Sequence, residues 1–122
     1  MRLAIGTVQF GMPYGISNIS GKTSQLEAKK ILDMASASGV DMLDTAVAYG
    51  DSEAALGQVG VAGWNVISKI PPMPVGGGSD WVLRQVKASL SNLKIDQLNG
   101  VLLHAPEQLL GPDGAEIISG LE

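Results

Sequence analysis

Three ionisable side chains stand at the ends of three apolar stretches of this sequence. Asp44 follows Met-Leu, Lys69 follows Val-Ile-Ser, and His104 follows Val-Leu-Leu. A tyrosine, Tyr49, lies five residues beyond Asp44. In parallel α/β folds the functional residues gather beyond the carboxyl ends of the strands. If the three stretches are parallel strands, these four side chains can form one site.

Together, the four residue types suit proton transfer to a carbonyl oxygen. A tyrosine phenol, with an ordinary pKa of about 10, is a poor proton donor at neutral pH. A lysine ammonium beside it stabilises the phenolate, and a carboxylate keeps a buried lysine charged. We therefore expect Asp44 to hold Lys69, and Lys69 to activate Tyr49. With His104 relaying protons or orienting the substrate oxygen, the site suits carbonyl reduction by hydride delivery.

Each residue alone also has a purely structural interpretation. Lys69 could be a solvated lysine at a strand end, and His104 a hydrogen-bonded structural histidine. Asp44 could cap a helix or form an Asx turn, and Tyr49 could be an aromatic residue at a rim. If the four residues had no joint role, all four structural interpretations would have to be correct independently. Their combination therefore favours a functional site.

Alternating strands and helices would position these residues. Apolar runs rich in β-branched residues predict strands at 2–7, 40–46, 65–69 and 98–103. The patterns that follow them predict helices at 24–39, 51–58, 79–93 and 113–121. The chain is therefore a strand–helix unit repeated four times.

Capping residues and apolar faces define two of these helices. Ser24 and Glu27 have the spacing of a capping box, and Gly39 supplies a C-terminal stop. The predicted apolar face of this helix is Leu26, Ile31, Leu32 and Ala35. Ser79 or Asp80 would cap the third helix. Its predicted apolar face is Val82, Val86, Leu90 and Leu93.

Continuous apolar strands such as VISK and GVLLH are typical of a parallel sheet covered by helices. Periodicity leaves two architectures open, a doubly wound open sheet and a (β/α) barrel. A barrel of eight units needs about 250 residues, so four units would be half of one. A flavodoxin-like binding domain is disfavoured, because no convincing phosphate loop follows the first strand.

Composition narrows the classes of function. The 122 residues carry a formal net charge of −4 and include one histidine and no cysteine. The acidic balance argues against nucleic acid or an anionic membrane as a partner. Disulfides are excluded, and we expect no metal site. The N-terminus suits a strand better than a signal peptide, and no apolar run approaches the ~20 residues of a spanning helix. We expect a cytoplasmic protein.

A phosphate-binding loop is only weakly indicated. Gly21-Lys22-Thr23 resembles the end of the G-x-x-x-x-G-K-[ST] motif, which needs a glycine at position 16. The sequence has Ile16 there, and Ser24 already caps the helix that follows. We do not expect nucleotide hydrolysis.

At the candidate site the sequence resembles the aldo-keto reductase family. The resembling stretches, in the family's order, are LAIGTVQFG at 3–11, DTAVAYGDSEAALG at 44–57, ISK at 67–69 and LLHAP at 102–106. The second contains the family's most recognisable block, Asp-Thr-Ala-x-x-Tyr-Gly. The resemblance implies a (β/α)8 barrel that uses NADPH or, less often, NADH to reduce an aldehyde or ketone, without metal.

The resemblance also implies roles for individual residues. Tyr49 would be the general acid that protonates the carbonyl oxygen, tuned by Lys69 and Asp44. His104 would help to orient the substrate. The positions expected near the nicotinamide and its ribose are Gly6, Thr7 and Asp44.

Length sets this chain apart from the family, whose members are about twice as long or more. Residues 1–122 are therefore expected to be the N-terminal half of an aldo-keto reductase-like barrel. A half barrel leaves sheet edges and apolar faces uncovered, so we expect self-association. The alternative function is a truncated, non-catalytic half-barrel fragment or assembly module that binds no cofactor.

Overall fold

Four parallel strands and their connecting helices make up the computed structural model, which describes residues 3–122. The strands are β1 (Ala4–Gly6), β2 (Met42–Asp44), β3 (Asn65–Ile70) and β4 (Gly100–Leu103). The helices are α1 (Val8–Gly11), α2 (Gln25–Ala37), α3 (Ser52–Val59), α4 (Gly78–Leu93) and α5 (Gly114–Leu121), with a 3-10 helix at Pro106–Leu110. The predicted alternation of strands and helices is confirmed.

The order of the strands decides between the two architectures that the sequence left open. The sheet runs β1-β2-β3-β4, and each strand pairs in parallel with the next one along the chain. A doubly wound sheet reverses its strand order at a switch point. No reversal occurs among these four strands, so the fold is of the (β/α) barrel type with four units, as predicted.

Alternation along β3 separates a helix-covered face from an open face. Val66, Ser68 and Ile70 are buried, whereas the residues between them are partly exposed. Successive side chains of a strand point to opposite faces. The buried face packs against α2, α3 and α4 in an apolar core that includes Leu32, Leu43, Leu56, Val66 and Leu93. Lys69 therefore points to the open face, on the opposite side of the sheet from this core.

Helix α2 begins and ends as predicted but buries a different face at its start. Ser24 Oγ accepts a hydrogen bond from the Glu27 N–H at 3.2 Å, and Gly39 adopts a left-handed φ of +82°. Leu26, expected in the core, is 69% exposed. The buried set is Ala28, Leu32 and Ala35. The prediction for Leu26 was wrong because its position in the first turn faces away from the sheet.

The start of α4 differs from the prediction. The helix begins at Gly78 with Gly77 at the N-cap position, so Ser79 and Asp80 lie in its first turn and do not cap it. The Ser79 N–H donates to Glu116 Oε2 at 3.1 Å. Glu116 belongs to α5, so a side chain 37 residues away satisfies a free N–H group of the first turn.

The strands are shorter than predicted at several ends. Strand β2 spans only Met42–Asp44 and β1 only Ala4–Gly6. The N–H groups of Thr45 and Val47 still donate to the carbonyls of Ile67 and Lys69, so contact with β3 continues past the end of β2. Residue 2, included in the predicted first strand, lies outside the described residues. Helix α1 and the 3-10 helix were not predicted.

Candidate active site

Lys69 and Asp44 form an ion pair at the carboxyl ends of β2 and β3. Lys69 Nζ donates to Asp44 Oδ1 at 2.7 Å and to Oδ2 at 2.8 Å, and it reaches the Thr45 carbonyl oxygen at 3.1 Å. The strand register explains the pairing. Asp44 on β2 lies opposite Ile67 on β3. Lys69 is two residues beyond Ile67 on β3, so its side chain points to the same face of the sheet as that of Ile67. The lysine side chain is only 17% exposed, so the carboxylate offsets the cost of burying its charge.

The same ammonium reaches Tyr49. Lys69 Nζ lies 3.3 Å from Tyr49 Oη and 4.9 Å from the centre of the tyrosine ring. A lysine can only donate, so the phenol oxygen accepts this bond. The phenol O–H therefore remains available to donate to another oxygen. A proton donor needs such a free O–H group.

The backbone around Tyr49 is held by its own turn and by α1. The Tyr49 N–H donates to the Ala46 carbonyl, and the Ser52 N–H donates to the Tyr49 carbonyl, both at 3.1 Å. The Asp51 N–H donates to the Gly11 carbonyl at 3.2 Å. A Cβ atom at Gly11 would overlap the Tyr49 carbonyl oxygen. Glycine at position 11 is thus what lets this loop lie against α1.

His104 lies against Tyr49 from the end of β4. Their rings meet edge to face, with centroids 6.1 Å apart and planes at 87°. The backbone N–H of His104 donates to the Ile70 carbonyl at 3.0 Å, which continues the β3–β4 ladder one residue beyond the end of β4. The structure therefore brings together all four residues that the sequence singled out.

The two other residues expected near a cofactor have different environments. Gly6 is exposed on β1, in register with Asp44, and a Cβ atom there would meet no atom within 4 Å. Thr7 is completely buried, and its hydroxyl donates to the Asp44 carbonyl at 3.0 Å. The Thr7 side chain therefore positions Asp44 instead of facing the open surface.

A cleft of about 330 Å³ opens beside the tyrosine. It is lined by Val8, Met12, Tyr14, Ala48, Tyr49 and His104. Its walls are mixed, with apolar side chains around three groups that can donate hydrogen bonds, the phenols of Tyr14 and Tyr49 and the imidazole of His104. Such a cleft suits a small organic molecule whose oxygen faces the phenol.

Two further findings concern metal binding and membrane-spanning helices. Within residues 3–122, no group of three or more acidic or histidine side chains is arranged to hold a metal ion. No helix in this part of the chain is long and apolar enough to cross a membrane.

Several residues that support the site lie in the stretches that resemble the family, but the sequence assigned them no role. Ser68 and Glu53 form a buried hydrogen bond of 2.6 Å, and Gly11 makes room for the tyrosine loop. Alternation on β3 could have placed Ser68 on the helix side, opposite Lys69. No sequence signal indicated its partner.

The chain belongs to the Aldo/keto reductase family, whose pattern matches residues 2–121. It is 28% identical over 127 residues to the 6-dehydroglucose reductase of Novosphingobium aromaticivorans, covering 90% of this chain and 41% of that protein. This confirms the resemblance inferred from the four sequence stretches.

Solved structures agree with this assignment. PA4992 from Pseudomonas aeruginosa, described as an aldo-keto reductase, has 27% identity and a TM-score of 0.77, over 97% of this chain and 49% of its own. An aldo-keto reductase of Bombyx mori, solved in complex with NADP, shares the fold with 24% identity and a TM-score of 0.60, over 83% of this chain and 33% of its own. The chain thus spans half or less of the length of these relatives.

Proposed function

We propose that this chain supplies the catalytic residues of a reductase that acts on an aldehyde or ketone carbonyl, with NADPH as its cofactor and NADH as the alternative. Residues 1–122 would be the N-terminal half of its (β/α)8 barrel. The observation that carries the proposal is the contact of Lys69 with both Asp44 and Tyr49 on the open face of the sheet. Family membership supplies the reaction type, oxidation and reduction.

The residues present fit a nicotinamide cofactor at this face. Gly6 is exposed beside Asp44 and leaves space where any other residue would place a Cβ atom. A flat ring can therefore approach the sheet closely at this point. Gly6 and Asp44 would hold the nicotinamide end, and the cofactor, when bound, supplies the hydride. Thr7 contributes indirectly, through its hydrogen bond to the Asp44 carbonyl.

Tyr49 is the proton donor in the proposed mechanism. Its O–H points its proton at the carbonyl oxygen of a substrate in the adjacent cleft, and the proton passes to that oxygen as negative charge develops there. Lys69, 3.3 Å from the phenol oxygen, stabilises the phenolate that remains. Asp44 keeps the ammonium in place, and a proton from solvent restores the phenol.

His104 would orient the substrate. Its ring stands edge to face with Tyr49 and borders the same cleft. A hydrogen bond from the imidazole to the carbonyl oxygen would hold that oxygen near the phenol. Positioning of this kind makes a large contribution to rate, because reacting atoms must lie about 3–3.5 Å apart.

The substrate class remains a small carbonyl compound. The relative from Novosphingobium aromaticivorans is by name a reductase of an oxidised sugar. Sugar carbonyls therefore belong in the first panel of compounds to test, with simple aldehydes and ketones.

The test is a titration of the 122-residue chain with NADPH, followed by tryptophan fluorescence and then by cofactor consumption with each carbonyl compound. Saturable binding and carbonyl-dependent consumption are expected. A folded chain that neither binds NADPH nor consumes it would contradict the proposal for this chain. That result would favour the alternative of a non-catalytic half-barrel module.

A further inference from the structure

The first turn of α3 carries two buried polar side chains. Ser52 is fully buried, and Glu53 is only 4% exposed. A polar group on a helix next to a loop would ordinarily face solvent, because burial costs free energy unless the group is hydrogen-bonded. The partners of these two side chains therefore indicate what the turn holds in place.

Ser52 joins α3 to the ends of β1 and β2. Its Oγ lies 2.9 Å from both the carbonyl and the hydroxyl oxygen of Thr7, and 3.1 Å from the Thr45 hydroxyl. One proton arrangement satisfies all three hydroxyls. Thr45 donates to Ser52, Ser52 donates to the Thr7 carbonyl, and Thr7 donates to the Asp44 carbonyl. Through Thr7, Ser52 is thus connected to the backbone of Asp44.

Glu53 joins the same turn to β3. Its Oε1 accepts a hydrogen bond from Ser68 Oγ at 2.6 Å, and Ser68 is only 2% exposed. Ser68 immediately precedes Lys69, and the two side chains point to opposite faces of the strand. The hydrogen bond on the helix side therefore fixes the strand directly behind the lysine.

Tyr49 is attached to this turn as well. Its carbonyl accepts the Ser52 N–H at 3.1 Å, so the loop that carries the phenol ends in the residue that is connected to Asp44. One turn of helix thus reaches the backbones that carry the phenol, the carboxylate and the ammonium.

We infer that Ser52 and Glu53 are positioning residues that set the distance between the Tyr49 phenol and the Lys69 ammonium. Their importance for the reaction rests on the proposed function, while their structural effect does not. The Lys69–Tyr49 contact of 3.3 Å is at the long end of the hydrogen-bond range, so a small displacement of either backbone would break it. Neither Ser52 nor Glu53 touches the open face.

The test reads the phenol directly. The full 122-residue chain is labelled with ¹³C at the tyrosine ring carbon that bears oxygen, and it contains only two tyrosines, Tyr14 and Tyr49. In Ser52→Ala, Glu53→Ala and Ser68→Ala, the Tyr49 signal is expected to move or broaden while the Tyr14 signal stays in place. Glu53→Gln retains an oxygen acceptor for the Ser68 hydroxyl and is expected to keep the Tyr49 signal near its original position.

Matched controls separate this effect from general loss of stability. Glu27→Ala removes an exposed glutamate from the first turn of α2, and Ser89→Ala removes a buried hydroxyl that has no partner within residues 3–122. Both are expected to leave the Tyr49 signal unchanged. An unmoved Tyr49 signal in folded Ser52→Ala would overturn the inference for Ser52, and one in folded Ser68→Ala and Glu53→Ala would overturn it for Glu53. Should Glu53→Ala not fold, Ser68→Ala and Glu53→Gln still test the inference. The first removes only a hydroxyl group and the second replaces one carboxylate oxygen with an amide nitrogen, so both variants are expected to fold.

Activity provides an independent reading. In protein that reduces carbonyls, kcat of Ser68→Ala is expected to fall on the order of tenfold or more, with little change in the affinity for NADPH. A wild-type chain without activity would contradict the proposed function, yet the tyrosine spectrum would still test the positioning role. Unchanged kcat together with an unmoved signal would refute the positioning role alone.

Discussion

Lys69 Nζ lies within hydrogen-bond distance of four oxygen atoms, and Tyr49 Oη is the most distant of them. The two Asp44 oxygens lie at 2.7 and 2.8 Å, the Thr45 carbonyl at 3.1 Å and the phenol at 3.3 Å. An ammonium has three N–H donors, so the four acceptors share them. Asp44 therefore fixes where the ammonium sits, and the phenol contact depends on the fit of the surrounding backbone.

The first prediction concerns the proton donor. Tyr49→Phe removes only the hydroxyl and keeps the ring that packs against His104. General acid catalysis contributes about 10²–10⁴-fold, so kcat for carbonyl reduction should fall by that order. Affinity for NADPH, measured by fluorescence titration, should change little. Retention of most of the activity would refute the role given to Tyr49.

The second prediction concerns the lysine. Lys69→Met leaves the partly buried Asp44 carboxylate without its cation and the phenolate without stabilisation. We expect loss of turnover and a lower free energy of unfolding, measured by urea denaturation. The matched control is Lys29→Met, because Lys29 pairs with Asp33 on the exposed surface of α2. Exposed pairs of this kind contribute about 0.3–0.5 kcal/mol. Equal losses of unfolding free energy in the two variants would show that the Lys69–Asp44 pair stabilises the fold no more than the exposed Lys29–Asp33 pair does.

The candidate site could be predicted from the sequence because its residues follow strands. Asp44, Lys69 and His104 stand at fixed places relative to apolar runs, and parallel strands bring such places together. The supporting contacts could not be predicted in this way. The hydrogen bond between Glu53 and Ser68 joins a helix to a strand across the buried layer, and its geometry depends on how α3 packs.

Boundaries of the elements were less predictable than their order, for a related reason. In the first turn of α4, the Ser79 N–H bonds to Glu116, a side chain from a helix much later in the chain. Local sequence favoured Ser79 or Asp80 as the cap, whereas the helix begins earlier, at Gly78, and a tertiary contact serves a free N–H group of its first turn. Leu26 shows the same limit, since periodicity alone does not indicate which part of a first turn faces the sheet.

The third prediction tests the two glycines of the site that have opposite surroundings. Gly11→Ala would push a Cβ atom into the Tyr49 carbonyl oxygen, whereas Gly6→Ala would meet no atom within 4 Å. Overpacking of this kind costs about 1–3 kcal/mol, so Gly11→Ala should lower the free energy of unfolding by at least that amount. Gly6→Ala should leave stability nearly unchanged but weaken NADPH binding. Tight NADPH binding by Gly6→Ala would argue against a nicotinamide at β1.

The fourth prediction is self-association, expected from the sequence because a half barrel leaves apolar surface uncovered. At the edge formed by β4 and α5, a cleft of about 570 Å³ is lined mainly by apolar side chains. Leu102 and Ile118 in it are 48% and 50% exposed. Sedimentation should therefore show a mass that rises with concentration. Ile118→Lys should reduce this association, whereas Met34→Lys, at an exposed position on α2, should not. A monomer at every concentration, or equal effects of the two substitutions, would exclude this edge as the contact between copies.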